Sequence, residues 1–277
     1  MSIARAPFTA KFGMFMVLLF LLVGLFGPLF APHTQSAIVG KVFEPISREF
    51  WFGTDNLGRD IFSRMIYGTR ITLFVALAAS MLSFSWGIFT GFFAAVMGGW
   101  VDQLLSRWVD ILMAFPTLIF ALVILSMVPI NMLTLILVMA VLDSTRVFRI
   151  ARALAEDTAV MEFVEAARLR GENTFWIIFR EILPNTLTPL IAEFGLRFSF
   201  AILFLSSLSF LGLGVQPPQA DWGGMVRENA GSINRALVHV RFATSSFFPA
   251  AAIALLTVSV NFVVDWLLDK TSDIRNT

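Results

Sequence analysis

Five long stretches of this chain carry no charged side chain. No Lys, Arg, Asp or Glu lies between Lys11 and Lys41, Arg70 and Asp102, Asp110 and Asp143, Arg197 and Asp221, or Arg241 and Asp265. A bilayer core of about 30 Å needs roughly twenty apolar helical residues, and every stretch is long enough. With thirty Phe, twelve Met and only 14% charged residues, the chain has too little polar surface to coat a globule in water. The expectation is an all-α, polytopic membrane protein.

Four of the stretches each predict one helix, at Phe12–Phe30, Ile71–Val96, Leu187–Leu213 and Phe247–Leu268. The first follows Arg5 and Lys11, and its apolar length exceeds that of a signal-peptide core, so it is expected to remain as a span. Ile111–Leu142 reaches about 48 Å as a helix, too long for one upright span and too short for two. "MVPIN" at Met127–Asn131 interrupts it, which predicts a hairpin whose helices extend past the run, with Arg107, Asp110, Arg146 and Arg149 near one interface. Six spans follow, with both termini on the same side. The Arg cluster 146, 149, 152, 168, 170 and 180 favours the cytoplasm for that side, although Lys and Arg elsewhere make the bias weak. Two loops, about 33–70 and 214–241, then face the opposite way.

The chain has no Cys, so disulfides, thiol catalysis and Cys metal sites are excluded. It also lacks a GxxxxGK[ST] loop, so hydrolysis of ATP by this chain is not expected. The glycines from Gly91 to Gly99 suit helix packing. His33 and His239 have no partners at ligand spacing, no metal site is expected, and no Ser/His/Asp catalytic set is arguable. The net charge of +1 carries no information about nucleic acid, and none is expected as a partner.

Against this background "EFVEAARLRGENTFWIIFREILPN", Glu162–Asn185, stands out for its charge. Val160, Phe163, Val164 and Ala167 recur at one helical face, and Phe175, Ile178, Phe179 and Ile182 repeat the spacing. Asp157 or Thr158 can cap the first helix, Gly171 stop it, Asn173 or Thr174 cap the second, and Pro184 limit it. The prediction is a helix–turn–helix across the interface, its apolar stripes packed on the bundle. Ala166 and Ala167 permit close approach of another surface, with Glu165 and Arg168 available for charged contacts. An interfacial helix that only lies on lipid should carry a Lys/Arg-rich polar face; acids match bases here, which favours a protein partner over membrane lipid at that face.

This stretch resembles the EAA loop of ABC-transporter membrane subunits: Glu-Ala-Ala, three residues, Gly, then Leu-Pro some twelve positions on. Three further blocks, "FGTDNLGRDIFSRMIYGTR" (Phe52–Arg70), "LSFLGLGVQPPQADWGGM" (Leu208–Met225) and "NFVVDWLLDKTSDIR" (Asn261–Arg275), resemble the C-type permease of dipeptide, oligopeptide and nickel importers. The resemblance implies a type I importer permease in a bacterial inner membrane, with both termini cytoplasmic. It implies a homologous second permease, one or two ATPases that bind ATP and magnesium, and an extracytoplasmic solute-binding protein. Residues 1–70 would form an N-terminal span with its outer loop, and 71–277 a permease core whose EAA loop is 158–185. The coupling residues carried over are Glu165, Ala166, Ala167, Arg168 and Gly171. Relatives with these blocks carry dipeptides, longer peptides, nickel chelates and some sugars. The chain departs from the pattern at Arg170, Glu172 and Glu181 around the loop, and in Asp-Ile-Arg near the end. A stand-alone secondary transporter and a non-transporting assembly factor are the rival readings.

Glu193 and Arg197 sit at i and i+4 inside the fifth predicted span. Intramembrane charge is costly and usually faces protein or a water-filled path. The pair therefore reads either as a charged lining for a path that admits peptide termini or as an internal ion pair. In the outer loops, Asp55, Arg59 and Asp60 follow a turn-forming Gly-rich composition, with Arg64 on a short surface helix. They read as a binding-protein platform or as a scaffold capping the bundle. Trp222, beside Pro217 and Pro218, suits an interface anchor.

Overall fold

The computed structural model describes residues 6–231 and 244–275, with side chains of the latter stretch described through Lys270. His239 lies outside the described residues. Among the described residues nine helices can be followed: α1 Phe8–Phe30, α2 Ile61–Met97, α3 Gly99–Met113, α4 Thr117–Met127, α5 Met132–Ala159, α6 Glu162–Leu169, α7 Thr174–Phe210, α8 Trp222–Glu228 and α9 Thr244–Arg275. Strands are absent among the described residues. Helices α1, α2, α7 and α9 are each long and apolar enough to cross a membrane, and the bent pair α3–α4 qualifies as a fifth when taken together. α5 has the length, at 28 residues, but carries Asp143, Arg146 and Arg149.

α2 starts ten residues before its charge-free run because Asp60 caps it, accepting from the N–H of Phe62 and Ser63 at 3.3 and 3.1 Å. The short surface helix expected to carry Arg64 is therefore the first turn of a 37-residue helix. The division drawn at residue 70 falls inside that helix.

The predicted hairpin is present only in part. Asn131 ends the "MVPIN" break by capping α5, accepting from Thr134 N at 2.9 Å while Thr134 Oγ1 accepts from Asn131 N at 3.0 Å. Its first arm, however, is broken a second time. α3 and α4 meet at 86° around Ala114–Pro116, where Pro116 lacks an N–H to continue the ladder. α3 is accordingly amphipathic, with Trp100, Leu104 and Trp108 exposed along one edge and Asp102 bound by Arg152 of α5 at 2.5 and 2.7 Å on the other.

α2 and α5 form the central pair, and two glycines one turn apart set their separation. A Cβ at Gly87 would lie 2.6 Å from Val147 Cβ, and one at Gly91 would lie 2.7 Å from the Phe148 carbonyl oxygen. Small residues at i and i+4 let backbones approach where no hydrophobic driving force separates lipid from helix. Two apolar cores result. The larger joins Leu125, Leu135, Met139, Leu205, Leu208, Trp222 and Leu256. The smaller, at the other end of α2, joins Phe92, Ala151 and Ala155 to the α6–α7 corner.

Candidate functional site

The corner begins where α5 ends. α6 has Met161 as its N-cap residue with no side-chain cap, because α5 continues through Asp157 and Thr158. The expectation that either of those residues caps α6 is corrected accordingly. Val164 and Ala167 are buried in the smaller core, whereas Val160 and Phe163 are exposed, so the expected four-residue stripe narrows to two. Glu165, Ala166 and Arg168 point outward. Ala167 thus anchors the helix, and Ala166 is the small residue on its open face. Gly171 takes φ +83°, a left-handed conformation that favours glycine, and reverses the chain. Asn173 then caps α7, accepting from Trp176 N at 2.8 Å.

Pro184 does not end this second helix. Residues Ile177–Ile182 form a wider π turn, and Leu183 N donates to the carbonyl of Ile178 five residues back. Proline leaves a carbonyl one turn earlier without its N–H partner, and π turns of this kind accommodate such a break within a continuous helix. The corner and the following span are therefore one element, Thr174–Phe210. Ile178 and Ile182 pack into the core as expected, while Phe175 and Phe179 stay exposed. Two of the departures from the family pattern meet here: Arg170 lies 3.7 Å from Glu181 and also over the Trp176 ring.

Further along α7, Arg197 Nε donates to Glu193 Oε1 at 2.5 Å, and its Nη1 lies 3.7 Å from Asp143 Oδ1 on α5. Asp143 Oδ2 accepts from Ser83 Oγ of α2 at 3.2 Å. Nearby, Arg146 stacks over Phe200 and donates to Thr117 Oγ1 at 3.4 Å. Sequence reasoning found the pair on α7 but missed Asp143, which it treated only as the edge of a charge-free run. The available signal was the spacing of Asp143, Arg146 and Arg149 along one helix of apolar neighbours. The cluster joins α2, α5 and α7 through two carboxylates and one guanidinium.

At the opposite end, Asp55 is wholly buried. Its Oδ2 accepts from Arg59 Nε at 2.7 Å and Arg64 Nη1 at 2.5 Å, and its Oδ1 accepts from the N–H of Leu57 and Arg59. Both guanidiniums also reach Glu228 Oε2 of α8, at 2.6 and 2.7 Å. Asp60 binds Ser63 Oγ at 2.6 Å and lies 3.4 Å from His33 Nδ1. Trp222, read as an interface anchor, is instead buried: its ring meets Phe20 edge-on at 5.4 Å and Nε1 donates to the Met65 carbonyl at 3.4 Å. Asp55, Arg59, Asp60 and Trp222 are all buried. Arg59 and Arg64 bridge Asp55 to Glu228 and so tie the loop before α2 to α8, whereas the partners of Asp60 stay within that loop and the first turn of α2. Among the described residues no group of three or more His, Asp or Glu is placed to hold a metal.

Asp221 caps α8, accepting from Gly224 N at 3.2 Å. Burial pushes its carboxyl up to about 6 from 3.8. A raised carboxylate pKa means that the folded state binds the proton more tightly than the unfolded state. Stability from this group is therefore full below pH 3.8 and falls as pH rises towards about 6. The expected loss is up to about 3 kcal/mol. Melting of the purified protein at pH 4.5 and 7 should show this slope, and Asp221→Asn, which retains a good capping side chain, should flatten it. An equal slope in the Asn variant would remove Asp221 as its source.

The comparisons agree with this architecture. The family described as "Binding-protein-dependent transport system inner membrane component" matches residues 87–272. The dipeptide transport system permease protein DppC of Alkalihalophilus pseudofirmus is 34% identical over 259 residues, covering 93% of this chain and 83% of the relative. The oligopeptide transport system permease protein OppC of Bacillus subtilis is 31% identical over 266 residues, covering 96% and 85%. The glutathione transport system permease protein GsiD of Pectobacterium atrosepticum is 33% identical over 229 residues, covering 83% and 74%. With its helical bundle and a family match that runs from the last third of α2 into α9, this chain belongs to the inner membrane components of binding-protein-dependent transport systems.

Proposed function

We propose that this chain is the C-type permease of an ATP-driven importer for peptides or similar small solutes. The solutes named for its relatives, dipeptides, oligopeptides and glutathione, support the solute class. Six crossings are read, at α1, α2, α3–α4, α5, α7 and α9, with both termini cytoplasmic. The core from residue 71 works beside a homologous second permease, one or two ATPases that hold ATP and magnesium, and an extracytoplasmic solute-binding protein. One observation carries the coupling role. α6 is fixed to the bundle by Val164 and Ala167, yet presents Glu165, Ala166 and Arg168 outward. A surface so mounted transmits displacement to α5 and α7 rather than absorbing it. Closure of the ATPases then moves α6 and Gly171, and the spans reopen towards the other side. Glu193 and Arg197, now with Asp143, line the path in this reading.

The test is solute-stimulated ATPase activity of the complex co-purified from native membranes. Ala166→Trp, which adds bulk to the open face without entering the core, is expected to lower stimulation at least tenfold, about 1.4 kcal/mol of coupling. Glu165→Ala should lower it less. Normal stimulation in both variants, with the chain correctly inserted, would reduce α6 to interfacial packing.

A further inference from the structure

A cavity of about 630 Å³ opens between α1, α2 and the start of α5. Its wall has two parts. Leu21, Leu25, Leu73, Phe74, Leu77 and Met132 make an apolar slot, and Arg70, Tyr67, Gln35 and Gln219 gather at the polar end. Among the described residues no Asp or Glu lines it. Arg70 is exposed and forms no ion pair among the described residues, unlike Arg64 and Arg59 earlier in the chain, which are held by Asp55 and Glu228. The cavity therefore carries one uncompensated cation above an apolar trough.

The level in the membrane follows from α2. Arg70 is the last charge before the run Ile71–Met97, which as a helix spans about 40 Å. That run is long enough to fill the hydrocarbon core, so Arg70 stands at the boundary with the headgroup layer. Gln35 and Gln219 come from the two loops on the side of the capped end of α2, which fixes which boundary it is. Tyr67, the single Tyr of the chain, lies one turn towards that end, and Tyr is suited to this amphipathic depth.

We infer that the cavity between α1 and α2 is a binding site for one anionic phospholipid of the extracytoplasmic leaflet, its phosphate on Arg70 and an acyl chain along Leu21, Leu25, Phe74 and Leu77. A guanidinium offers two parallel N–H donors to phosphate oxygens, and Tyr67 and Gln219 supply neutral polar groups beside it. Free phosphate has no use for the apolar slot, and the slot alone has no use for Arg70; a phospholipid satisfies both. Bound there, the lipid would join α1 to α2 at the level where Gly24 brings the two helices together, a Cβ at that position lying 3.2 Å from Leu73 Cδ1.

The experiment uses the complex purified in mild detergent and reconstituted in nanodiscs of phosphatidylcholine with a minor fraction of phosphatidylglycerol. Lipid retained after re-extraction is measured by native mass spectrometry. Wild type and Arg70→Lys should retain phosphatidylglycerol over phosphatidylcholine, Arg70→Gln should lose that preference at least tenfold, which is about 1.4 kcal/mol, and Leu25→Trp, which fills the slot from its exposed side, should lose retention with Arg70 intact. Displacement by inorganic phosphate with the slot unaffected would overturn the lipid assignment. So would equal retention of the two lipids by wild type, unchanged retention in both Arg70→Gln and Leu25→Trp, or burial of the cavity by the second permease in the assembled complex. None of these readouts depends on ATPase stimulation, so the coupling proposal and this one fail separately.

Discussion

Asp55→Ala is expected to destabilise the end of the bundle where α2 begins and α8 lies by about 3–5 kcal/mol, the cost of leaving buried charge without its partner. Arg59 and Arg64 are 7% and 1% exposed, and of the two carboxylates they share, Asp55 and Glu228, Asp55 is wholly buried. Without it, two guanidiniums converge on Glu228 alone, whose side chain is 25% exposed. The N–H groups of Leu57 and Arg59 lose their acceptor as well. Asp55→Asn keeps an oxygen for those amides and should fall between the variant and wild type. The measurement is proteolysis of the loops before α2 and α8 in the purified complex, together with its melting. Cleavage and melting like wild type in Asp55→Ala would show that the network contributes nothing to holding α8 against α2. Transport is expected to fall with stability here, so uptake alone does not test this prediction.

That network marks the limit of what was legible in sequence. The apolar runs predicted helices because burial in lipid demands length and internal hydrogen bonding, both of which are local properties. Asn173 was readable as a cap for the same reason. Arg64 and Glu228 are 164 residues apart, and nothing in either neighbourhood announces the other. Trp222 misled because its amphipathic ring suits an interface, whereas here Gly68 leaves room for it: a Cβ on that glycine would lie 3.1 Å from Trp222 Cδ1. Prolines were ambiguous in both directions. Pro184 looked like a stop and is absorbed by a π turn, while Pro116 breaks a run that hydropathy alone draws as continuous. In the α6–α7 corner the motif located the helix, but not which face is open. Ala166 and Ala167 are indistinguishable as letters, and the difference lies in the position of Phe92, Ala151 and Ile178 beneath the second of them. Arg170 and Glu181 each looked like an isolated departure, yet they form a pair, so the two substitutions offset one another locally.

Arg197→Met is expected to reduce both the yield of assembled complex and solute uptake, because Asp143 and Glu193 then face one another without the guanidinium between them. Two carboxylates in a partly buried site repel, and each also loses a charge-assisted contact. The informative comparison is Asp143→Asn combined with Arg197→Met. Removing one carboxylate relieves the repulsion while Asn can still accept from Ser83 Oγ, the existing contact at 3.2 Å. Assembly should return towards wild type in the double variant. If the cluster lines the path, uptake should stay at least tenfold down, about 1.4 kcal/mol of transition-state free energy, because a travelling peptide no longer meets the cation. Recovery of uptake together with assembly would make Glu193, Arg197 and Asp143 an internal ion cluster, with no part in recognising the solute. Full activity of Arg197→Met alone would remove both roles. The double variant separates the two readings because the Arg197 guanidinium of α7 stands between Glu193 of the same helix and Asp143 of α5: a structural clamp needs the carboxylates kept from repelling, whereas a path for a charged solute needs the cation itself.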